Sequence, residues 1–598
     1  MSATPSNRLQ ARASERLRAS RRGFVQDASR TAVTEMLERS GVTGRWSARI
    51  WQGRSMRTPE RRDAPAHVDG TSTRKARSIH GKGVPTTPPA GVVALTRMGF
   101  GLRAGDLDAF NALGANDDAR LNAYIEQQLD PASIDDSVFD TRIASSGFTT
   151  LSKSVEQLWA DHVVPDPDYE VRLQPLHEIE SLTLLRAAYS RRQLVEVLAD
   201  FWHNHFNIFA DWDTGPLWVH YDRDVIRNHL LGNFRQMLEA CATSPPMLHY
   251  LDNLYNSADG PNENYSRELF ELHTLGADSY LGVVPQNTVP VDGDGNPVGW
   301  VDDDIKAAAR CLTGWTASML PWIPEIGDTG SFLYYDPWHD HTAKQVLGAN
   351  LPANQAAMKD GRDVLDLLAA HPATGRFIAT KLCRRLIGDQ PSQTVIDAAA
   401  AEFTAHVASA DQLERVVRTI LTSQDFRSTW AEKVKRPFEI AIGAIRATGA
   451  DFSFRLDDNN TGTFFYLYNH TGQTLFGHRA PNGYPDVKED WQTTSPRVMS
   501  WRVTNWLIDA RDSGNVPLFD AVGQTPAHVR SSNALADFWI DRVLGRPMPD
   551  AERAEIVAFM AQGRNPALDW PLDTDTDAQD RLRAMVGLIF MSPAFLWR

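Results

Sequence analysis

The chain has 598 residues, enough for one large domain or several ordinary ones, and its 42% apolar and 23% charged content is that of a soluble globular protein. Its three cysteines, Cys241, Cys311 and Cys383, are far apart, which excludes a disulfide framework or a thiolate zinc site, and no run of about eighteen apolar residues exists to form a membrane-spanning helix. The formal net charge of -14 is uneven: residues 1–82 hold 18 Lys/Arg against 7 Asp/Glu, a net of +11, which leaves -25 for the rest.

Residues 1–90 are rich in Arg, Ser, Thr, Gly and Pro and too poor in apolar surface to form a core. They read as a disordered basic arm and linker. Such an arm on an acidic body is a solvated tail, or a contact for nucleic acid or an anionic surface. The segment Ser20-Arg21-Arg22-Gly23-Phe24-Val25 has the form of a twin-arginine export signal, but the polar stretch after it does not form an apolar h-region. A cytoplasmic location is expected, with the twin-arginine route as the alternative.

From Ala94 the pattern becomes helical. Leu121, Tyr124, Ile125 and Leu129 recur at helical spacing, and Asp130-Pro131 stops them. Further helices are predicted over 176–189 and 191–205, and over 221–243, where Val225, Ile226, Leu230, Phe234 and Leu238 form a stripe. A turn-rich insert, VVPQNTVPVDGDGNPVGW, reads as a small β-hairpin. A helix follows over 303–312, then an aromatic, loop-rich stretch over 316–350. Helices dominate from 354 onward, interrupted by a loop-rich segment over 453–497. The fold class is mainly α, a large multi-helix body with a hairpin insert. The expected division is a basic arm over 1–90, an N-terminal helical lobe over 91–350 that carries the candidate site, and a C-terminal lobe over 351–598.

Three segments carry the chemistry. In FWHNHFN, residues 201–207, Leu194, Leu198, Phe201, Trp202 and His205 share one helical stripe. On a continuous helix His203 points about 200° away from His205, and the two do not chelate one ion. If the helix ends near Trp202, both imidazoles face one side as a metal pair. In NENYSRELFELHTLG, residues 262–276, Asn264, Glu268 and Glu271 share a helical face, Arg267 is placed to pair with Glu271, and His273 lies about 140° from Glu268. Carboxylates three residues apart can grip a cation or share a proton. The third segment is His339-Asp340-His341, with Lys344 after it and Tyr334, Tyr335 and Trp338 around it, a composition suited to pocket lining. The first segment also reads as two histidines capping a helix end within the core, the second as a buried Glu–Arg–His network that fixes helix packing, and the third as a loop packed on the core. In the insert, Asp292, Asp294 and Asn296 occupy the first positions of a calcium loop, but Pro297 stands where the sharp turn needs glycine. There is no G-x-S-x-G, P-loop, Rossmann glycine pattern or H-E-x-x-H.

FWHNHFN, LGNFRQMLEACATSPPMLHYLDN, NENYSRELFELHTLG, LTGW, HDHTAKQVLG, HPATGRFIATKLCRRL, KRPFEI and GQTLFGHRAPNGYPDV occur in this order. Together they resemble a bacterial family, the one numbered 1800 among the domains of unknown function, over roughly residues 95–598. The resemblance implies a mainly helical fold and assigns no activity. It also implies a possible protein partner of a sulfatase-like family, often found beside its members, and export, which is common among them. This chain carries Gly483-Tyr484 where the family pattern has Gly-Trp, and its basic arm is additional.

The functional expectation is a metal-assisted enzyme, hydrolytic rather than redox. His203, His205, Glu268, Glu271 and His273 are the candidate ligands of a divalent metal. Glu268, Arg267 and Lys344 are the candidate catalytic groups, and Asn204, Asn207, Asn264, Trp338, His339 and Asp340 the candidate pocket lining. Two alternatives stay open: a non-catalytic assembly or export factor working with a partner protein, and a haem or other redox protein with His203 or His205 as axial ligand.

Overall fold

Apolar spacing fixes most of the chain's course. In a computed structural model that describes residues 87–598, Leu121, Tyr124, Ile125 and Leu129 are all buried on the helix Asp117–Leu129. That helix is capped by the Asn116 side chain, which accepts from Ala119 N, and it stops before Pro131. The expected arm lies outside the described residues as far as residue 86.

Two long helices, Tyr169–Tyr189 and Gln193–His205, follow as the spacing predicts. The second runs unbroken to His205, which settles the geometry of FWHNHFN: the two histidines leave the helix in different directions. The expected single helix over 221–243 is not formed. The chain instead takes a turn of α-helix at Trp218–His220, a π-helical turn at Tyr221–Ile226 and a 3₁₀ turn at Arg227–His229. It breaks at Gly232, and a new helix, Phe234–Ala242, starts where the Asn233 side chain accepts from Gln236 N. Val225, Ile226, Leu230, Phe234 and Leu238 are buried all the same, so the stripe reported burial and not helix continuity. Pro245-Pro246 opens the next helix, Pro245–Tyr250.

The focal segment is also split. An α-helical turn over Asn264–Glu268 passes into a π-helical turn over Leu269–His273. A π turn adds a residue per turn, so the α-helical angles expected for His273 do not apply. The insert is pinched by one antiparallel bridge, Val291–Pro297, and Asp292 Oδ1 accepts from the backbone N of Asp294 and Asn296, a turn with its own internal bonds. Regular strands lie just beyond it. Trp315–Met319 pairs antiparallel with Asp328–Tyr334, and Lys344–Val346 with Ala349–Leu351, in a stretch expected to be loop.

The C-terminal half follows the predicted helix order from Lys359–Ala370 to Thr576–Met591, and adds an unpredicted helix, Asn459–Asn469, inside the loop-rich segment. The body is mainly α, with two small antiparallel hairpins among the described residues. Segments 91–350 and 351–598 share one apolar core that extends from Val92 to Phe595. The helix Pro437–Thr448 is buried along its whole length and packs against Tyr169–Tyr189. Arg436, at the N-cap of Pro437–Thr448, pairs with Asp200 on the histidine helix, Gln193–His205. No described helix is long and apolar enough to cross a membrane.

Candidate functional site

The site grows from the last turn of Gln193–His205. His203, 8% exposed at its side chain, places Nε2 2.9 Å from Asp222 Oδ1. A carboxylate only accepts, so Nε2 carries a proton. Nδ1 is buried and has no hydrogen-bond partner.

Asp222 is held by more than the histidine. Arg227 donates from Nε to both of its oxygens, at 2.9 Å each, and Arg186 donates from Nη1 at 3.1 Å. Arg227 also forks onto Glu196, at 2.9 and 2.8 Å. Burial alone would raise the Asp222 pKa. Arg227, His203 and Arg186 overcome it and hold the carboxyl well below the usual range. The π turn at Tyr221–Ile226 carries both Asp222 and, one residue beyond it, Arg227.

A cavity opens beside His203. Its walls include Glu196, Asp200, Asn204, Asn207, Arg227, Arg436, Phe476 and Tyr484, and it holds about 50 Å³ of free space beside the ring. Its roof is the loop 473–486. Asn204 donates to Tyr484 O at 2.8 Å and accepts from Tyr484 N at 2.6 Å. Asn207 donates to the carbonyls of His478 and Ala480, at 3.0 and 2.8 Å. The two asparagines of FWHNHFN therefore clamp GQTLFGHRAPNGYPDV over the site. Gly483 is required there: at φ +70° it lies so close that a Cβ would sit 2.1 Å from Asn204 O. Phe476, at φ +52°, lays its ring 4.9 Å from that of His203. A phenylalanine at positive φ is rare, and such strain gathers at functional sites.

Behind the cavity lies a buried ion cluster. Asp200 pairs with Arg436 and, at 3.0 Å, with Arg385. Glu439 accepts from Arg385 at 2.7 Å and pairs with Arg598, and Lys433 bridges Asp389 and Asp486 at 3.1 and 2.9 Å. These charges tie KRPFEI to the histidine helix and to the end of the chain.

The other predicted residues go elsewhere. His205 donates from Nε2 to the carbonyl of His273 at 3.1 Å and accepts at Nδ1 from Lys381 at 2.9 Å. Burial, with Lys381 and His273 beside it, holds its pKa well below the ordinary value. His273 is fully buried with both ring nitrogens unpartnered, and burial beside Lys381 pushes its pKa down to about 3. Burial lowers Lys381 itself to about 8. Glu268 and Glu271 are half-buried. Burial and the neighbouring Glu271 raise the Glu268 pKa against the pull of Arg267. Arg267 pairs with Glu263 at 3.6 Å and Asp302 at 3.5 Å, in place of the expected Glu271. Among the described residues no group of three or more His, Cys, Asp or Glu is placed to hold a metal ion. The five nominated ligands are divided among separate contacts because the helix runs through His205 and the focal segment turns π-helical.

The HDH stretch forms a closed network. His339 donates from Nδ1 to Thr313 O at 2.9 Å and places Nε2 3.3 Å from Asp360. Lys344, with no exposed side chain, pairs with the same Asp360. Asp340 accepts from Arg310 at 2.7 Å. Of the nominated lining residues, Asn204 and Asn207 do line the cavity. Asn264 donates to Leu251 O at 3.2 Å, Trp338 stacks edge-on with Tyr335, and neither they nor His339 and Asp340 belong to its walls.

The segments that build this site are those whose order marks the family. A model of the family described as protein of unknown function, DUF1800, matches residues 93–597. The chain belongs to the DUF1800 family. No curated protein and no solved structure matches it. In this DUF1800 chain, residue-by-residue reading missed Asp222, Glu196, Arg227, Asp200 and Arg436. The run YDRDVIRNH, with four charges and a histidine among core residues, was the available signal for the first and third of them.

Proposed function

We propose that the protein is an enzyme that runs acid–base chemistry at His203, with hydrolysis as the leading reaction class. One observation carries the reading: a buried imidazole is oriented at Nε2 by Asp222 while its Nδ1 is left unpartnered beside a cavity. A histidine held in one tautomer by a carboxylate, with its other nitrogen free, is the arrangement used to take and return a proton. Arg227 and Arg186 fix the carboxylate, and the Asn204–Tyr484 clamp keeps the roof closed over the base.

The test is a panel of p-nitrophenyl carboxylic, phosphoric and sulfuric esters, assayed with and without added zinc or manganese. The expected result is turnover of one ester class by the wild type, lost in His203→Ala and reduced in Asp222→Asn. No turnover under any condition, or an unchanged rate in folded His203→Ala, overturns the reading.

A partner-binding role has an observation of its own. Val283, Val291 and Val298, on the insert, are 78%, 61% and 47% exposed. Apolar side chains gathered on one exposed segment suit a protein contact. Replacing all three with serine abolishes association with a partner under this second reading and leaves ester turnover intact.

A further inference from the structure

The His203–Asp222 pair stands between two cavities. His203 faces the one already described. Asp222 lines another, with Phe139, Ile143, Leu151, Ile179, Leu182 and Val219 as apolar walls and Arg186 as the cation within it. Asp140 and Arg223 complete the lining. This second cavity holds about 220 Å³ of free space and opens to solvent.

Arg186 is unlike the other cations around it. Arg223 spends its donors on Asp224 and on the carbonyls of Leu151 and Lys153, and Arg227 spends its own on Asp222 and Glu196. Arg186 donates from Nη1 to Asp222, and its Nε and Nη2 have no protein acceptor, while its side chain is 25% exposed. Nε and Nη2 form one edge of the guanidinium, two parallel N–H groups spaced to meet both oxygens of a carboxylate. Asp222 does not depend on Arg186, because Arg227 and His203 already reach both of its oxygens.

We propose that this second cavity binds an organic carboxylate with an apolar body: the head takes the free edge of Arg186, and the body lies against Phe139, Ile143, Leu151 and Leu182. Asp140, at the exposed end of the lining, disfavours a second negative charge there, so the ligand carries its charge at one end. The cavity shares Arg186 and Asp222 with the His203 pair, but its ligand takes no part in the reaction assigned to His203.

Calorimetric titration of the full chain with octanoate, and with 1-octanol as the uncharged counterpart, tests it. Octanoate binds saturably, and 1-octanol binds at least about tenfold more weakly, the loss of a charge-assisted bidentate contact. Arg186→Met brings octanoate down to the level of 1-octanol. Ile143→Trp, which fills the cavity without touching Arg186, abolishes both and keeps the proposal open to test if Arg186→Met does not fold. Absence of saturable octanoate binding, equal binding of octanoate and 1-octanol, or full binding by folded Ile143→Trp overturns it.

Discussion

Two histidines in this molecule each meet a buried aspartate, and they are not held alike. His203 meets Asp222 at 2.9 Å, and His339 meets Asp360 at 3.3 Å. Both histidines are nearly inaccessible, and both aspartates also hold a cation. The difference lies at the second ring nitrogen. His339 gives it to the Thr313 carbonyl, and its ring is used up. His203 leaves it unpartnered beside a cavity. A histidine–aspartate pair is therefore not in itself a site. Whether the other nitrogen is bonded separates the two pairs.

The largest expected effect breaks the two apart by activity. His203→Ala lowers ester turnover by about 10²–10⁴-fold, the usual worth of a positioned general base, while His339→Ala leaves kcat unchanged and lowers Tm. A comparable loss of kcat from both variants erases the distinction.

The next effect is on stability and falls on the closed network. Asp360→Ala strands Lys344 without its carboxylate and costs about 3–5 kcal/mol in urea unfolding, as breaking a buried pair does. A cost near that of a surface substitution contradicts the closed network.

The third prediction concerns His273, which takes part in neither pair. Its folded pKa of about 3 lies below the ordinary value of 6.5. Between these values the unfolded chain binds a proton that the folded chain does not, so stability falls as pH falls through that window. The loss from this one group by pH 4 is on the order of 3 kcal/mol. His273→Asn flattens that limb of the stability–pH curve by a comparable amount. An unchanged acid limb contradicts the unpartnered, buried imidazole.

These contrasts also show what was legible beforehand. The helical stripe of Leu194, Leu198, Phe201, Trp202 and His205 was readable because burial imposes a period on apolar residues, and it correctly separates the two histidines when the helix is continuous. The mainly helical body and the family were readable for the same reason, from periodic stripes and ordered motifs. The partner of His203 was not. Asp222 lies on a π-helical turn, and a π turn leaves no period of its own in the sequence. Lys344 looked available because it follows a histidine-rich loop, but Asp360 consumes it from the helix Lys359–Ala370. Arg267 similarly turned to Glu263 and Asp302. Pairings across elements depend on packing, which charge spacing within one segment does not encode.

A smaller effect sharpens the role of the roof. Gly483→Ala sets a Cβ against Asn204 O at a left-handed backbone position and destabilises the protein by about 1–3 kcal/mol. The Asn204→Ala variant loosens the same loop and raises KM more than it lowers kcat. The smallest effect concerns metal: since no three candidate ligands converge among the described residues, dialysis against a chelator leaves Tm unchanged.

The most direct measurement is a histidine-selective ¹⁵N NMR spectrum of the folded chain, with His203→Gln and His339→Gln to assign the two rings. The account predicts His203 as the Nε2–H tautomer, with a free Nδ1 lone pair whose shift moves when a small ligand enters the cavity, and His339 with its Nδ1–H held and unresponsive. A proton on Nδ1 of His203, or equal response of both rings, would contradict it.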